Sequence, residues 1–411
     1  LARDLFGEFF EGNLLELNAS VGPETPIMIK ENDKIQRINF YELEKRFFKK
    51  NEKYAKPSEI EILSIDKNNE VKFMPMSLIS RHKVPKIARI KYEGGEIRTS
   101  LNHSVIIIDN KGNLTSKEVS QLKVGDQLVT FRTTIQSADE SVLEFERYSP
   151  ILESNLQRHM VRNPKVKQVL QNQIINDDIA WLFGVYLAEG CLSFRGDTSG
   201  SLIFTFGYPK ETDQIEKVQA VLKENFHLDS STKIGFSGFD RSNASSMQVR
   251  AHNTQLARFF KEQFYNGSGK NTAQFKRVPS FIYNSRYRWD FLKGYINDAY
   301  GEWGRYLRYS SRSKENLIDI TWLGRISGID SSCFDVESRF VWKKDLPQKL
   351  KTDLISAEPI IYLFKEKDDE IDFNWRYILR HQLYSQKSKR ISKDLARDLL
   401  VKAEGKIGNS H

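Results

Sequence analysis

Twice along the chain an apolar stretch carries one glycine inside it and a second at its end. The first is Trp181-Leu182-Phe183-Gly184-Val185-Tyr186-Leu187-Ala188-Glu189-Gly190, with its two glycines six apart and an acid just before the second. The other is Phe291-Leu292-Lys293-Gly294-Tyr295-Ile296-Asn297-Asp298-Ala299-Tyr300-Gly301, where the glycine spacing is one residue longer and Tyr300 stands in the place of the acid. Small residues on one face of an apolar helix let two such helices pack with close backbone approach. A carboxylate at the end of such a helix is able to hold a divalent cation beside a scissile phosphate. Taken alone, either stretch also reads as a plain core helix with a solvated end.

The surroundings of the two stretches repeat in order, an internal duplication in pattern rather than in identity. The first copy predicts an apolar helix over 179–189, a strand over 201–206, and an amphipathic helix with Ile215, Val218 and Leu222 on one face. The second copy predicts a helix from Trp289 to about Tyr300, a strand near 306–310, and a helix through Leu317, Ile320 and Leu323. Ahead of this, from Val21 to about Arg132, the texture is different. Alternating apolar positions predict strands over 27–29, 60–65, 72–76, 87–92, 105–108 and 127–131, with one helix over 40–50. Gly94-Gly95, 109–112 and Gly125-Asp126 punctuate the hairpins. A polar connection over 133–176 joins the two textures, and 1–20 reads as the end of a helix, a Gly-Asn turn and a short strand.

Composition narrows the chemistry. With 411 residues and 39% hydrophobic content the chain has material for two or three cored domains. Its 63 Lys and Arg against 54 Asp and Glu leave a net charge of +9, a modest basic excess that suits a nucleic-acid partner. Twenty-six Phe and sixteen Tyr are available to stack on bases, although core filling is their commoner use. The two cysteines, Cys191 and Cys333, belong to no CxxC or Cys/His cluster, so neither a zinc site nor a disulfide framework is expected. No apolar run approaches the roughly 18 residues of a membrane span, and no signal-peptide pattern opens the chain. A cytoplasmic protein is the expectation.

The two glycine-bearing stretches resemble the paired motifs of LAGLIDADG (DOD-type) homing endonucleases. That resemblance implies an α+β domain of two pseudo-symmetric repeats over 177–405, a saddle of strands on double-stranded DNA, and Mg²⁺ held by Glu189 and Asp298. Asp298 would replace the acid missing at Tyr300, with Glu302 as the alternative, or the second metal site is lost. Lys276, in Phe275-Lys276-Arg277-Val278-Pro279, stands where the family tends to carry a basic residue; a DNA-backbone or plain surface lysine is the other reading. Arg195, Lys210, Arg288, Arg305, Arg308 and Arg312 are plausible phosphate contacts, which position a protein without reading sequence.

The β-rich region resembles the Hint (horseshoe-like) splicing domain of inteins over 20–132. Ser20-Val21-Gly22-Pro23-Glu24-Thr25-Pro26-Ile27 looks like the opening block, and its hydroxyl would attack the carbonyl of Ala19 to turn a peptide into an ester. Thr99-Ser100-Leu101-Asn102-His103 resembles the block in which a histidine protonates the departing nitrogen, so His103 takes that role and Ser100 would orient the scissile peptide. Leu122-Lys123-Val124-Gly125-Asp126-Gln127-Leu128-Val129 follows in the family's order. Read singly, each of these residues is an ordinary turn or strand residue. Splicing itself would need no cofactor.

Finally, Leu5-Phe6-Gly7-Glu8-Phe9-Phe10-Glu11-Gly12-Asn13-Leu14-Leu15-Glu16-Leu17-Asn18-Ala19-Ser20 resembles a segment of the archaeal clamp-loader small subunit, replication factor C, so 1–19 would be a host fragment. The closing β segments and the His-Asn-nucleophile end of an intein are not seen, and 406–411 would be a truncated end, completed by a C-terminal intein fragment if one exists. The expectation is therefore a multidomain intein portion that starts splicing at Ala19-Ser20 and carries a metal-dependent, site-specific DNA endonuclease, active or degenerate. Two rivals remain: a catalytically dead DNA-binding protein, and an identity set by the host, an ATPase subunit of DNA replication. No GxxxxGK[ST] loop occurs in these residues to support an independent ATPase.

Overall fold

The computed structural model describes residues 20–148, 170–335 and 375–380, apart from short gaps at 58, 67–69, 93–94, 110, 132, 138–140, 197–198, 237–243, 267–271, 297–299 and 302–306. The chain divides into two compact units, one running to Phe131 and one from Arg132 to Gln382, with Lys34–Gln36 grouped with the latter. The host-like stretch 1–19 and the end 406–411 lie outside the described residues.

In the first unit, β1 (Pro26–Glu31), β2 (Lys34–Asn39), β4 (Ile60–Ile65) and β5 (Val71–Pro75) form one sheet in the order β2-β1-β4-β5, with β3 (Tyr54–Ala55) between them in sequence. Alternation sets the register: Ile29 lies opposite Ile62, and Leu63 opposite Phe73. Ile27, Ile29, Ile38, Leu43, Ile60 and Ile79 close into a core on one face. The helix α1 (Phe40–Phe47) starts where Asn39 accepts a hydrogen bond from the Glu42 amide at 3.0 Å. It stops short of the expected 50 because Phe48 is already extended, with ψ 126°.

Three smaller antiparallel pairings complete this unit: β3 with β6 (Ile79–Ser80), β7 (Ile87–Tyr92) with β8 (Gly95–Ser100), and the sheet β10-β9-β11 made of β9 (Ser104–Ile108), β10 (Leu114–Glu118) and β11 (Gln127–Leu128). Gly125 turns the chain into β11 at φ +105°, a region that L side chains rarely enter. Asp126 ties this turn by accepting from the Lys123 amide and from Lys117 Nζ, both at 2.7 Å. The expected all-β texture is thus present as several small antiparallel sheets, with no barrel among the described residues.

The second unit opens with the stretch expected as a polar connection. Its described parts pack: Thr133 donates its amide to the Arg325 carbonyl at 2.8 Å, and Phe145 is fully buried. The strands β12 (Val142–Leu143) and β13 (Gln173–Ile174) pair with each other. After them comes a helix, α2 (Asp177–Glu189), then β14 (Gly190–Arg195), β15 (Ser199–Gly207), α3 (Thr212–Phe226), β16 (Ser230–Phe236), β17 (Ala244–His252) and α4 (Thr254–Gln263). The next run is α5 (Arg288–Tyr295), β18 (Tyr300–Gly301), β19 (Leu307–Ser311), α6 (Lys314–Ile326), β20 (Asp330–Asp335) and β21 (Trp375–Arg380).

The two runs match in order, helix-strand-strand-helix-strand-strand, and their sheets match in topology: β14-β15-β17-β16 and β18-β19-β21-β20. The expected second helix is shorter than the sequence suggested. It ends at Tyr295, and Tyr300 sits not at a helix end but in β18, paired with Arg308 of β19. Tyr is a good strand residue, and the extra residue before Gly301 leaves room for the chain to leave the helix first.

Past the two aspartates of its first turn, every residue of α2 from Ile179 to Leu187 is buried, which accounts for its position. Asn176 caps it, accepting from the Ile179 amide at 2.8 Å. Phe183 and Tyr186 on α2 meet Phe260 on α4 with ring centroids 5.3 and 4.2 Å apart. Against α5, α2 packs backbone to backbone. A Cβ on Gly184 would overlap the carbonyl oxygen of Phe291, and one on Gly294 would overlap that of Trp181. No helix among the described residues is long and apolar enough to cross a membrane.

Candidate functional sites

The first unit gathers the splicing candidates at one end of β8. Val21 bridges Thr99, the Gly22 amide donates to the Arg98 carbonyl at 2.8 Å, and the Ser100 amide donates to the Ser20 carbonyl at 2.9 Å. The start of the described chain therefore runs antiparallel to the last residues of β8, with Ser20 opposite Ser100. A tight turn follows, closed by the His103 amide donating to the Ser100 carbonyl at 3.2 Å, and the Val119 amide then holds the His103 carbonyl at 2.8 Å.

These backbone bonds fix three side chains whose polar atoms are left over. Thr99 and Ser100 are 0% and 3% exposed, and neither hydroxyl has a hydrogen-bond partner among the described residues; His103 Nδ1 is likewise buried and without a partner among them. Leaving such a group unpaired costs about 1–3 kcal/mol, so three within five residues call for an explanation. Burial also lowers the pKa of His103, which favours its neutral ring. The Ser20 hydroxyl, by contrast, is engaged: its Oγ lies 2.8 Å from Nε2 of His82, a residue that no sequence motif marks. Ala19 lies outside the described residues.

The second unit brings Glu189 and Lys276 together at the C-terminal end of α2. Glu189 is the last residue of that helix and is half-buried. Lys276 is 5% exposed, so it is not a plain surface lysine. Its ammonium donates to the carbonyls of Tyr186 at 3.1 Å, Leu187 at 3.0 Å and Gly190 at 2.6 Å. They lie at the C-terminal end of α2, where the Tyr186 carbonyl also accepts from the Gly190 amide and where a cation suits the helix dipole. Burial pushes the Lys276 pKa down to about 8, against the pull of the Glu189 charge. The Lys276 carbonyl in turn accepts from Ser313 Oγ at 2.6 Å, and Ser313 Oγ caps α6 by accepting from the Asn316 amide at 3.1 Å. Lys276 thus joins the end of α2 to the start of α6.

Asp298 and Glu302 lie outside the described residues, and among the described residues no three His, Cys, Asp or Glu side chains cluster as metal ligands. Of the arginines and lysines expected on phosphates, Arg195, Lys210 and Arg312 are exposed. Arg288 is not available for that role: it is 5% exposed, and its Nε donates to the Tyr283 carbonyl at 2.8 Å. Arg305 and the Arg308 side chain are outside the described residues.

No protein-family model matches the chain. The replication factor C small subunit of Methanocaldococcus jannaschii is 42% identical over 406 residues, which is 97% of this chain and 21% of that protein. Transcription initiation factor IIB of the same organism is 34% identical over 143 residues, 32% of this chain and again 21% of the relative. The chain thus spans about a fifth of the length of the curated relatives it matches. Among solved structures, a transcription factor IIB mini-intein aligns 28% of this chain with 72% of its own at 31% identity and a TM-score of 0.23. A variant of the homing endonuclease I-DmoI aligns 51% with 92% at 11% identity and a TM-score of 0.32. Over nearly its whole length, then, the chain is similar to a portion of an archaeal replication factor C small subunit, and over about a third of it to a portion of transcription initiation factor IIB.

Proposed function

We propose that the chain begins protein splicing by an acyl shift at Ala19-Ser20 and that its second unit is a LAGLIDADG-type endonuclease acting on duplex DNA. The observation that carries the splicing half is the unpartnered, buried set of Thr99 Oγ1, Ser100 Oγ and His103 Nδ1 beside the backbone of Ser20. Buried groups without partners are a reserve of hydrogen bonds, available to a peptide in an altered geometry but not satisfied in the resting one. In this reading the Ser20 hydroxyl attacks, Ser100 steadies the scissile peptide and His103 delivers a proton to the leaving nitrogen. Similarity to both a clamp-loader subunit and a transcription factor supports the reading, because a segment shared by two such hosts belongs to the function of neither.

For the endonuclease half, α2 and α5 meet through Gly184 and Gly294, and Glu189 ends α2 beside the seam. Carboxylate oxygens are the donors that Mg²⁺ takes, and Glu189 is the ligand we assign, with Asp298 as its partner. When bound, the ion would activate water and stabilise the leaving oxygen of a phosphodiester. Lys276 would position Glu189 through the end of α2. The two repeats would form the saddle on DNA, and the first unit a Hint-type domain.

A second reading, DNA binding without cleavage, is favoured by Tyr300, which stands in a strand where a second acid would be required. One experiment separates the two. The chain is incubated with Mg²⁺ and a duplex carrying the uninterrupted clamp-loader coding sequence, alongside Glu189→Gln. Cleavage by the wild type alone supports the nuclease; binding by both without cleavage supports the second reading, and binding by neither rejects both.

A further inference from the structure

We infer that His82 is the general base that activates Ser20, an assignment that rests on the proposed acyl shift at that residue. Its Nε2 lies 2.8 Å from Ser20 Oγ, which is hydrogen-bond reach for a proton in transit. A serine hydroxyl is a weak nucleophile until a neighbouring base takes its proton, and His82 is the base whose ring nitrogen lies against that hydroxyl. The two histidines thus divide the work: one removes a proton from the attacking oxygen, the other supplies one to the departing nitrogen.

The placement of His82 is built rather than incidental. Its neighbour Arg81 donates its amide to the Lys53 carbonyl at 2.9 Å, its Nε to the Glu52 carbonyl at 2.7 Å and its Nη2 to the Lys49 carbonyl at 3.0 Å. The guanidinium also pairs with the Glu44 carboxylate and lies 4.7 Å from the centre of the Phe48 ring. Immediately before it, β6 is paired with β3, Ile79 opposite Ala55. An exposed histidine on an untied loop would sample many positions. This one follows a residue anchored on several sides.

The step balances as an isomerisation. The Oγ–C bond to the Ala19 carbonyl carbon forms and the C–N bond breaks; His82 Nε2 takes the hydroxyl proton, and the nitrogen of Ser20 gains one from the imidazolium form of His103, which burial makes the minor and more acidic form, leaving a free amine, an ester and a neutral His103 ring. Solvent then returns the protons between the two rings.

Hydroxylamine tests this on the intact chain, because it attacks an ester and releases residues 1–19 as a hydroxamate, freeing the Ser20 hydroxyl. The wild type should release that peptide, and Ser20→Ala should not. His82→Ala and His82→Gln should each slow release by about 10²-fold or more. Added imidazole should restore His82→Ala in part, since the side chain is exposed, and should do nothing for Ser20→Ala. Release at the wild-type rate by both His82 variants, or a slow His82→Ala that imidazole fails to restore, overturns the assignment to His82 alone. No release from the wild type overturns the acyl-shift reading and, with it, this one. Glutamine retains a polar side chain at the site, so its slow release reports proton transfer rather than a collapsed loop.

Discussion

Burying a lysine ammonium costs several kcal/mol unless its protons are well placed, and Lys276 places all three on carbonyl oxygens at the end of one helix. The remaining cost should be visible as a pH dependence. Its folded pKa is about 8 against an ordinary 10.5, so below pH 8 both states are protonated and the fold bears the whole cost. Between these values the unfolded chain holds a proton that the folded chain sheds, and stability rises with pH; above 10.5 the gain is complete. Chemical denaturation from pH 7.5 to 10 should show the wild type gaining roughly 1–3 kcal/mol relative to Lys276→Met, because each tenfold difference in proton affinity between the two states is worth ~1.4 kcal/mol. Equal profiles for the two proteins would mean that Lys276 titrates like a surface lysine. The residue itself was legible in the sequence, but its burial was not, because nothing in Phe275-Lys276-Arg277 shows that a helix end ninety residues earlier will receive it. His82 is the same lesson in stronger form. Ser20, Ser100 and His103 form a recognisable pattern, whereas the partner of Ser20 stands 62 residues away in a run without any spacing rule.

Among elements, the pair α2 and α5 is where the sequence spoke most clearly. Two glycines in apolar helices imply close approach, and the structure puts each glycine against a carbonyl of the other helix. Each of Gly184→Ala and Gly294→Ala should therefore force the helices apart, with no flexible side chain to yield, and lower stability by about 1–3 kcal/mol or more. Because both methyl groups would push on one contact, the double variant should lose less than the sum of the single losses. Thermal unfolding reads all three; a neutral Gly184→Ala would mean that the helices are not seated as described. What the sequence misjudged was the end of α5. An apolar run that continues through Ile296 reads as helix to Tyr300, but strand pairing with Arg308 claims Tyr300, and that pairing has no local signature. In the first unit alternation marked which face of a strand is buried, but pairings such as β1 with β4 and β3 with β6 join strands that are not neighbours in sequence and were not announced by it.

Across the whole molecule the repeated order of helix and strand was legible, while sheet membership was not. Trp375–Arg380 joins the second sheet between β19 and β20 from far along the chain, and no turn signal announces such a partner. The same scale decides how DNA would be held. A net charge of +9 drawn from 63 basic and 54 acidic residues is too mixed for a polycation, so phosphate contacts must come from particular exposed side chains. Arg195, Lys210 and Arg312 are exposed, and Arg288 is buried with its guanidinium on backbone carbonyls. Fluorescence anisotropy with a target duplex at 50–200 mM salt should show affinity falling by about 10³-fold or more if some six phosphates are neutralised. Arg195→Gln, Lys210→Gln or Arg312→Gln should each flatten the logarithmic salt slope by about one if that residue meets a phosphate. Arg288→Gln should instead lower the unfolding temperature and leave the slope as it was, because a side chain committed to the Tyr283 carbonyl releases no counterion from DNA. Binding that stays within tenfold across that salt range would remove the phosphate-contact account altogether and, with it, the charge argument for a nucleic-acid partner.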